Sequence, residues 1–254
     1  MFYTTIKRGE EMSVRPVDIA RRLGISTTTL RKYEEMGLVP PVSRSASGYR
    51  NYTEEHIAYF ICVREMLPGF NLTIISQVLK EVMVQKIDSA YWIVNKAQAD
   101  LRQEKIISEN IVKHLYHSEG LQINRKQKIL TINDISQETG VPVTTIRYWD
   151  KVGLISAQRC TQNNYRIFTS EHIRQVLAIY ALKLSVINNR HRYFVDQVRE
   201  EMKEFDYNDR DKIKEIASCI EQNLDKINRL QIKGIAALHH LCVQVETISF
   251  NNPM

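Results

Sequence analysis

The apolar residues of this chain follow two patterns, and each pattern occurs twice. In one, apolar residues recur at steps of three and four over many turns, as in a helix that buries one seam against another helix. The first such stripe is Ile87, Ala90, Val94, Ala97, Leu101, Glu104, Ser108, Ile111 and Leu115. The second is longer: Ile213, Ile216, Ile220, Asn223, Ile227, Leu230, Gly234, Ala237, Leu241, Gln244 and Ile248. The faces opposite these stripes mix both signs of charge, which favours a coiled-coil or bundle seam over a helix lying on a membrane. The other pattern is a set of short amphipathic runs broken by glycines, followed by a polar stretch with aromatic ends.

The short runs predict a definite order of elements. Pro16 suits the first position of a helix ending near Leu23, and Gly24 makes the turn. Ser26 caps a second helix that runs to about Met36, so the pair reads as a helix-turn-helix. The segment LVPPVSRSASGYRNYT then predicts a two-strand wing. Thr53 caps a third helix with Ile57, Phe60 and Ile61 inward. The turn Leu67 to Leu72 leads to a fourth helix carrying Ile75, Val78, Leu79 and Val82 on one face.

The same order returns 116 residues later, and a fixed-period repeat governs the reading of a fold. Asp18–Ile57 against Asp134–Ile173, aligned without gaps, gives about 14 identities in 40 positions. They include Gly24/Gly140, Arg31/Arg147, Gly37/Gly153, Tyr49/Tyr165, Arg50/Arg166 and the run Glu55-His56-Ile57/Glu171-His172-Ile173. In the second copy Thr131 and Asp134 stand in capping-box spacing, Thr169 caps the third helix, and Asn163-Asn164 replaces Ser47-Gly48 at the wing turn. After Val186 the copies diverge: Val186-Ile-Asn-Asn-Arg-His-Arg-Tyr193 replaces the Pro-Gly turn.

These patterns set the fold class as mainly α, with two winged helix-turn-helix domains each followed by a long coiled-coil-type helix. The expected divisions are an arm over 1–12, a first head over 13–85, a long helix over 86–118, a basic linker over 119–128, a second head over 129–205, and a C-terminal dimerisation helix over 209–248.

Composition narrows the function. Across 254 residues, 43% are hydrophobic and 25% charged, as in a globular protein, and the net charge is +6. Between Met12 and Tyr52 seven Lys/Arg face three Asp/Glu, so much of the cationic excess sits in the first head. A cationic bias of this kind favours polyanions such as nucleic acid. Cys62, Cys160, Cys219 and Cys242 are scattered, which indicates neither a disulfide framework nor a zinc site. The first twelve residues lack the apolar core of a signal peptide, and no run reaches the length of a membrane helix. A cytoplasmic, nucleoid-associated location is expected.

The chemistry concentrates in Ser26–Leu38 and Pro142–Leu154. Each reads as a helix with a small, hydroxylated first turn followed by an arginine, the build of a helix that enters a DNA major groove. Small residues let the backbone approach, hydroxyls bind phosphate oxygens, and arginine reaches a guanine edge or a phosphate. The candidate DNA-contacting residues are Thr27, Thr28, Arg31, Lys32, Arg44, Tyr49 and Arg50 in the first copy. In the second they are Thr144, Thr145, Arg147, Tyr148, Arg159, Tyr165 and Arg166. Tyr33 and Trp149 read as core rather than base-stacking groups, while Tyr49 and Tyr165 suit either phosphate contact or packing under the wing. Arg190-His191-Arg192 suits phosphate contact or a solvated turn equally. His56 and His172 read as structural. His239 and His240, adjacent to one another and near Cys242, project about 100° apart on a helix, so a shared metal ion is disfavoured. No metal site, cofactor or catalytic set is expected.

The string Arg31, Tyr33, Glu34, Gly37, Leu38 followed by Gly48, Tyr49, Arg50, Tyr52 resembles the MerR family of transcription regulators. The second copy carries Arg147, Trp149, Asp150, Gly153, Leu154, then Tyr165, Arg166, Phe168. The resemblance covers roughly 70 residues of the first module and 50 of the second. It implies a winged helix-turn-helix head and a long helix that pairs antiparallel with its counterpart in a dimer. Inverted-repeat DNA targets, often in an overlong promoter spacer that binding bends and untwists, come with it. By position it assigns DNA contact to Thr28, Arg31, Lys32, Arg44, Tyr49, Arg50, Thr144, Arg147, Tyr148, Arg159 and Arg166. Two departures stand out. Ordinary members carry one head per chain, and metal-sensing members carry cysteines near the start of the dimer helix, where Lys80–Tyr116 has none. The residues after the second head read as helix, so no inducer-binding domain is expected.

The resulting expectation is a sequence-specific double-stranded DNA-binding transcription regulator with two unequal heads on an imperfect inverted repeat. The alternative is an architectural or segregation protein that bends or bridges DNA with little sequence choice. The greater length of the second stripe favours a homodimer through Ile213, Ile220, Asn223, Ile227, Leu230 and Leu241. An intramolecular pseudo-dimer of the two long helices is the competing geometry. No membrane partner and no enzymatic activity are expected.

Overall fold

A computed structural model describes residues 14–116, 129–159, 165–187, 194–206 and 209–250. The expected arm over 1–12, the linker over 119–128, Cys160, the Asn163-Asn164 turn and Arg190-His191-Arg192 lie outside the described residues. The chain divides into two compact units, and the divisions fall inside its two long helices, after Ala99 and after Lys226. Neither long helix is therefore a free-standing domain: each contributes one half to each unit.

The first unit begins with α1 (Pro16–Leu23) and α2 (Thr27–Glu35). Pro16 starts α1, and Gly24 ends it in the left-handed region at φ 62°, a conformation open to glycine without steric cost. The Ser26 hydroxyl accepts from the Thr29 amide, capping α2. Strands β1 (Ser43–Arg44) and β2 (Arg50–Asn51) pair antiparallel as the wing, and Val14 clips the start of the head to Tyr52 by an isolated bridge. The Thr53 and His56 side chains form a capping box for α3 (Glu54–Met66), which gives His56 a structural role. Helix α4 (Leu72–Met83) buries Ile75, Val78, Leu79 and Val82 completely. These side chains share a core with Ile19, Leu30, Tyr33, Leu38, Tyr52 and Phe60.

Two glycines bring the long helices onto this head. Helix α5 (Ile87–Ile111) contributes Ala90, Val94 and Ala97 to the core, and the later half of α10 (Arg210–Thr247) contributes Leu238, Leu241, Cys242 and Val245. A Cβ on Gly69 would fall 2.7 Å from the Gln231 amide nitrogen, and one on Gly234 would fall 3.1 Å from the Met66 Cα. Backbone meets backbone at the α3–α4 elbow because neither glycine carries a side chain. Tyr91 bonds His239 at 2.9 Å, and Gln98 donates to Gln231, so α5 and α10 run antiparallel within this unit.

The second unit repeats the plan with α6 (Ile132–Thr139), α7 (Val143–Lys151), β3 (Gln158–Arg159), β4 (Arg166–Ile167) and α8 (Ser170–Ile187). Thr131 and Asp134 form the expected capping box. Leu130 bridges Phe168 as Val14 bridges Tyr52. Here the long helices again supply the cover. Ile107 and Ile111 from α5, Leu115 from its π-helical end (Val112–Tyr116), and Ile213, Ile220 and Leu224 from α10 join the core of Ile135, Ile146, Trp149 and Phe168. The Gln103 amide donates to the Gly140 carbonyl at 2.8 Å, seating α5 on the turn of this helix-turn-helix. Lys105 pairs with Glu221 at 2.7 Å. Helix α9 (Phe194–Lys203) packs on α8, buries Val198, and sends Arg199 to the Val152 carbonyl at the end of α7.

Two expectations change, and the residues expected to dimerise are placed. The ungapped alignment conceals two compensating shifts: Arg44 opposes Arg50 across the first wing, whereas Arg159, not the aligned Cys160, opposes Arg166 across the second. The second copy approaches its wing by one residue fewer and turns with one more. The C-terminal stripe is phased differently. Ile213, Ile220 and Leu241 are buried as expected, but the second buried position of each heptad lies four residues on, not three: Ala217, Leu224, Gln231, Leu238 and Val245 are buried, while Ile227 is 36% exposed and Ile248 81% exposed. Finally, of the six residues expected to dimerise, Ile213, Ile220 and Leu241 are buried by their own chain. Leu230 is half-buried, Ile227 lies at the surface, and the Asn223 amide turns back to Cys219 on its own helix.

Replacing Gly69 by Ala should destabilise the protein by about 1–3 kcal/mol, the usual range for overpacking, because its Cβ meets α10 backbone. A thermal melt followed by circular dichroism checks this, and an unchanged melting temperature would contradict the close approach.

Candidate nucleic-acid interface

The exposed face of α2 is set by its helical period. Leu30 and Tyr33 are buried, which turns Thr28, Arg31, Lys32 and Glu35 to solvent at spacings of three and four. In α7, Ile146 and Trp149 are buried, and Thr144, Arg147, Tyr148 and Lys151 face outward. Tyr33 and Trp149 are thus core residues, 8% and 2% exposed. Thr27 and Thr145 are half-buried at the edges of the two faces, and the Thr29 hydroxyl bonds Ser26 at 2.9 Å.

Each helix is fixed to its wing by one carboxylate. Glu34 accepts from Arg50 Nε at 2.5 Å and from the Tyr52 hydroxyl at 3.2 Å. Asp150 accepts from Arg166 Nε at 2.6 Å. Both pairs are largely withdrawn from solvent, with side-chain exposures of 21% and 21% in the first and 25% and 15% in the second. Phe168 stands where Tyr52 does and has no hydroxyl, so the second brace lacks that contribution. Burial and the Glu34 charge push the Tyr52 phenol up to about 12, keeping it a neutral donor. Glu34 in turn holds Arg50 more firmly protonated.

The braces decide which wing charges remain outward. Arg44 lies opposite Arg50, and Arg159 opposite Arg166. Like charges in direct register repel, but Glu34 and Asp150 compensate one member of each pair. Arg44 is exposed, its guanidinium donating to the Gly48 carbonyl at 3.2 Å near the wing tip. Arg159 is exposed as well. Tyr49 and Tyr165, at the ends of the wing turns, are 75% and 72% exposed, which places both outward rather than under the wing.

The structure therefore sorts the sequence-derived candidates into two groups. Thr28, Arg31, Lys32, Arg44 and Tyr49 in one head, and Thr144, Arg147, Tyr148, Arg159 and Tyr165 in the other, present side chains outward. Arg50 and Arg166 are turned inward, each to a carboxylate. The acid–arginine pairing across 16 residues in both copies is a signal that sequence reading passed over. Among the described residues no cluster of His, Cys, Asp and Glu is arranged to hold a metal ion, and no helix is long and apolar enough to cross a membrane.

Comparison with known proteins agrees with this geometry. The profile described as MerR family regulatory protein matches residues 15–52, and that described as MerR HTH family regulatory protein matches residues 130–186. The HTH-type transcriptional regulator CueR of Salmonella typhi is 43% identical over 56 residues, which is 22% of this chain and 41% of that protein. AdhR of Bacillus subtilis, another HTH-type transcriptional regulator, is 44% identical over 48 residues, 19% of this chain and 34% of its own length. YyaN of Bacillus subtilis, an uncharacterized HTH-type transcriptional regulator, is 34% identical over 110 residues, 42% of this chain and 75% of its own length. The chain spans about two fifths of the length of the first curated relatives it matches. No solved structure matches significantly. Two profile matches, one on each head, and the three-quarter coverage of YyaN show that this chain belongs to the MerR family, with two MerR-type domains in tandem.

Proposed function

We propose that the chain is a sequence-specific, double-stranded DNA-binding transcription regulator whose two heads read the unequal halves of an imperfect inverted repeat. The observation that carries this reading is the repetition of one arrangement: an outward arginine-bearing helix face braced by a carboxylate to a wing that keeps one exposed arginine. The relatives' own descriptions as transcriptional regulators support it. Arg31 and Arg147 reach base edges in this reading, while Thr28, Thr144, Arg44, Arg159, Tyr49 and Tyr165 hold phosphates. Arg50 and Arg166 act through the braces instead of touching DNA. The recognition faces differ at Lys32/Tyr148 and Glu35/Lys151, so the half-sites differ too.

The functional unit we propose is a single-chain pseudo-dimer. Supporting it, α10 covers the α3–α4 elbow of the first head and α5 covers the Gly140 turn of the second, so each head is covered by the long helix that follows the other head in sequence. The seam a homodimer would use is occupied at Ile213, Ile220 and Leu241.

Three outcomes follow. Arg31→Ala should weaken operator binding by about 1–3 kcal/mol and relax base choice at one position of one half-site; an Arg31→Ala, Arg147→Ala double variant that binds like wild type would remove the assignment. Glu34→Gln should lower stability by about 1–3 kcal/mol and weaken DNA binding although Arg31 is intact, as measured by melting and gel shift. Sedimentation equilibrium should return the mass of one chain at micromolar concentration, and a dimeric mass would overturn the pseudo-dimer.

A further inference from the structure

We propose that a cleft beside α7 seats a backbone phosphate of the duplex, with Lys183 as its counter-charge, giving the second head a grip that the first lacks. This rests on the DNA-binding reading above. The cleft, of about 390 Å³, is lined by Thr144, Thr145, Tyr148, Trp149 and Lys183. Trp149 forms its floor and packs edge-on against Tyr180, with ring centroids 6.3 Å apart. Tyr148, 49% exposed, stands at the rim, on the same outward face as Thr144 and Arg147. The Lys183 ammonium rests 5.0 Å from the Tyr180 ring centroid, where the ring face attracts it. Three hydroxyls and one ammonium thus border a cleft at the edge of the surface assigned to DNA. Hydroxyls donate to phosphate oxygens and an ammonium neutralises them.

One further feature favours an anion here. Pro142 gives the first turn of α7 no side-chain cap, whereas Ser26 caps α2. Uncapped amides at a helix start attract negative charge. Glu104 of α5 also interacts with Lys183, so a phosphate would share that ammonium with a carboxylate.

The cation is in place because α8 does not stop where α3 does. Helix α3 ends at Met66, before Leu67-Pro68-Gly69. The aligned residues of the second copy, Lys183-Leu184-Ser185, contain neither breaker, so α8 continues to Ile187 and carries Lys183 past the recognition helix. The first head has the apolar Leu67 at that position, and its cation on this side is Lys32, where Tyr148 stands.

The test is a salt titration of binding by the full chain to a duplex selected by the wild type, using Lys183→Met, which keeps the aliphatic stem over Tyr180, and Lys183→Arg. Lys183→Met should bind several-fold more weakly at low salt. Its plot of log affinity against log salt should be shallower by about one. Its base preferences should match wild type, in contrast to Arg147→Ala, and Lys183→Arg should restore the wild-type slope. Thr144→Val, which leaves Lys183 in place, should also lose affinity, which keeps the proposal testable if Lys183→Met melts early. Wild-type affinity and slope in Lys183→Met would overturn the phosphate seat while leaving the DNA-binding reading intact. A wild-type chain that selects no duplex would end both.

Discussion

One half-buried carboxylate in each head makes the remaining geometry usable. A nine-residue helix held only by its apolar face would be free to rock about that face, since dispersion and apolar burial have no direction. Glu34 and Asp150 add direction. A charge-assisted bond to a guanidinium is short and angle-dependent, and it ties the recognition helix to the second wing strand. The same bond removes one of two opposed arginine charges on the wing. Orientation of the helix and the sign of the wing therefore come from a single interaction, present in both heads.

The long helices solve a different problem. Each head leaves an apolar surface that its own short helices cannot cover, and in both units the cover comes from α5 and α10. In a protein with one head per chain, a second copy would have to supply that helix. Here both helices lie on one chain. Gly69 and Gly234 permit the contact by letting backbones touch, and such a site tolerates no added atom without movement.

Duplication has not kept the heads equal. The first is completed by a Pro-Gly elbow and α4; the second by a longer α8 and by α9, whose Arg199 satisfies a carbonyl at the end of α7. Glu34 has two donors where Asp150 has one from the wing arginine and faces Phe168. Lys32 and Tyr148 give the two outward faces different chemistry.

Local physics was legible in the sequence. Pro16, Gly24, Ser26, Thr53, the Thr131–Asp134 box and the apolar spacing of α4 each act within a few residues, so helix starts, the turn and the wing could be read directly. The outward arginines Arg31 and Arg147 followed from the same periodicity. What sequence could not supply was whatever depends on partners far along the chain. Arg50 and Arg44 look alike as cations on a wing, and only the approach of Glu34 separates a brace from an exposed charge. The α10 stripe could be drawn but not phased, because the helix carries apolar residues on both sides of the seam and only the elements packed against it determine which are covered. Ile213, Ile220 and Leu241 are likewise covered within their own chain, which the apolar pattern could not say: it asks for a covering surface without saying whose it is.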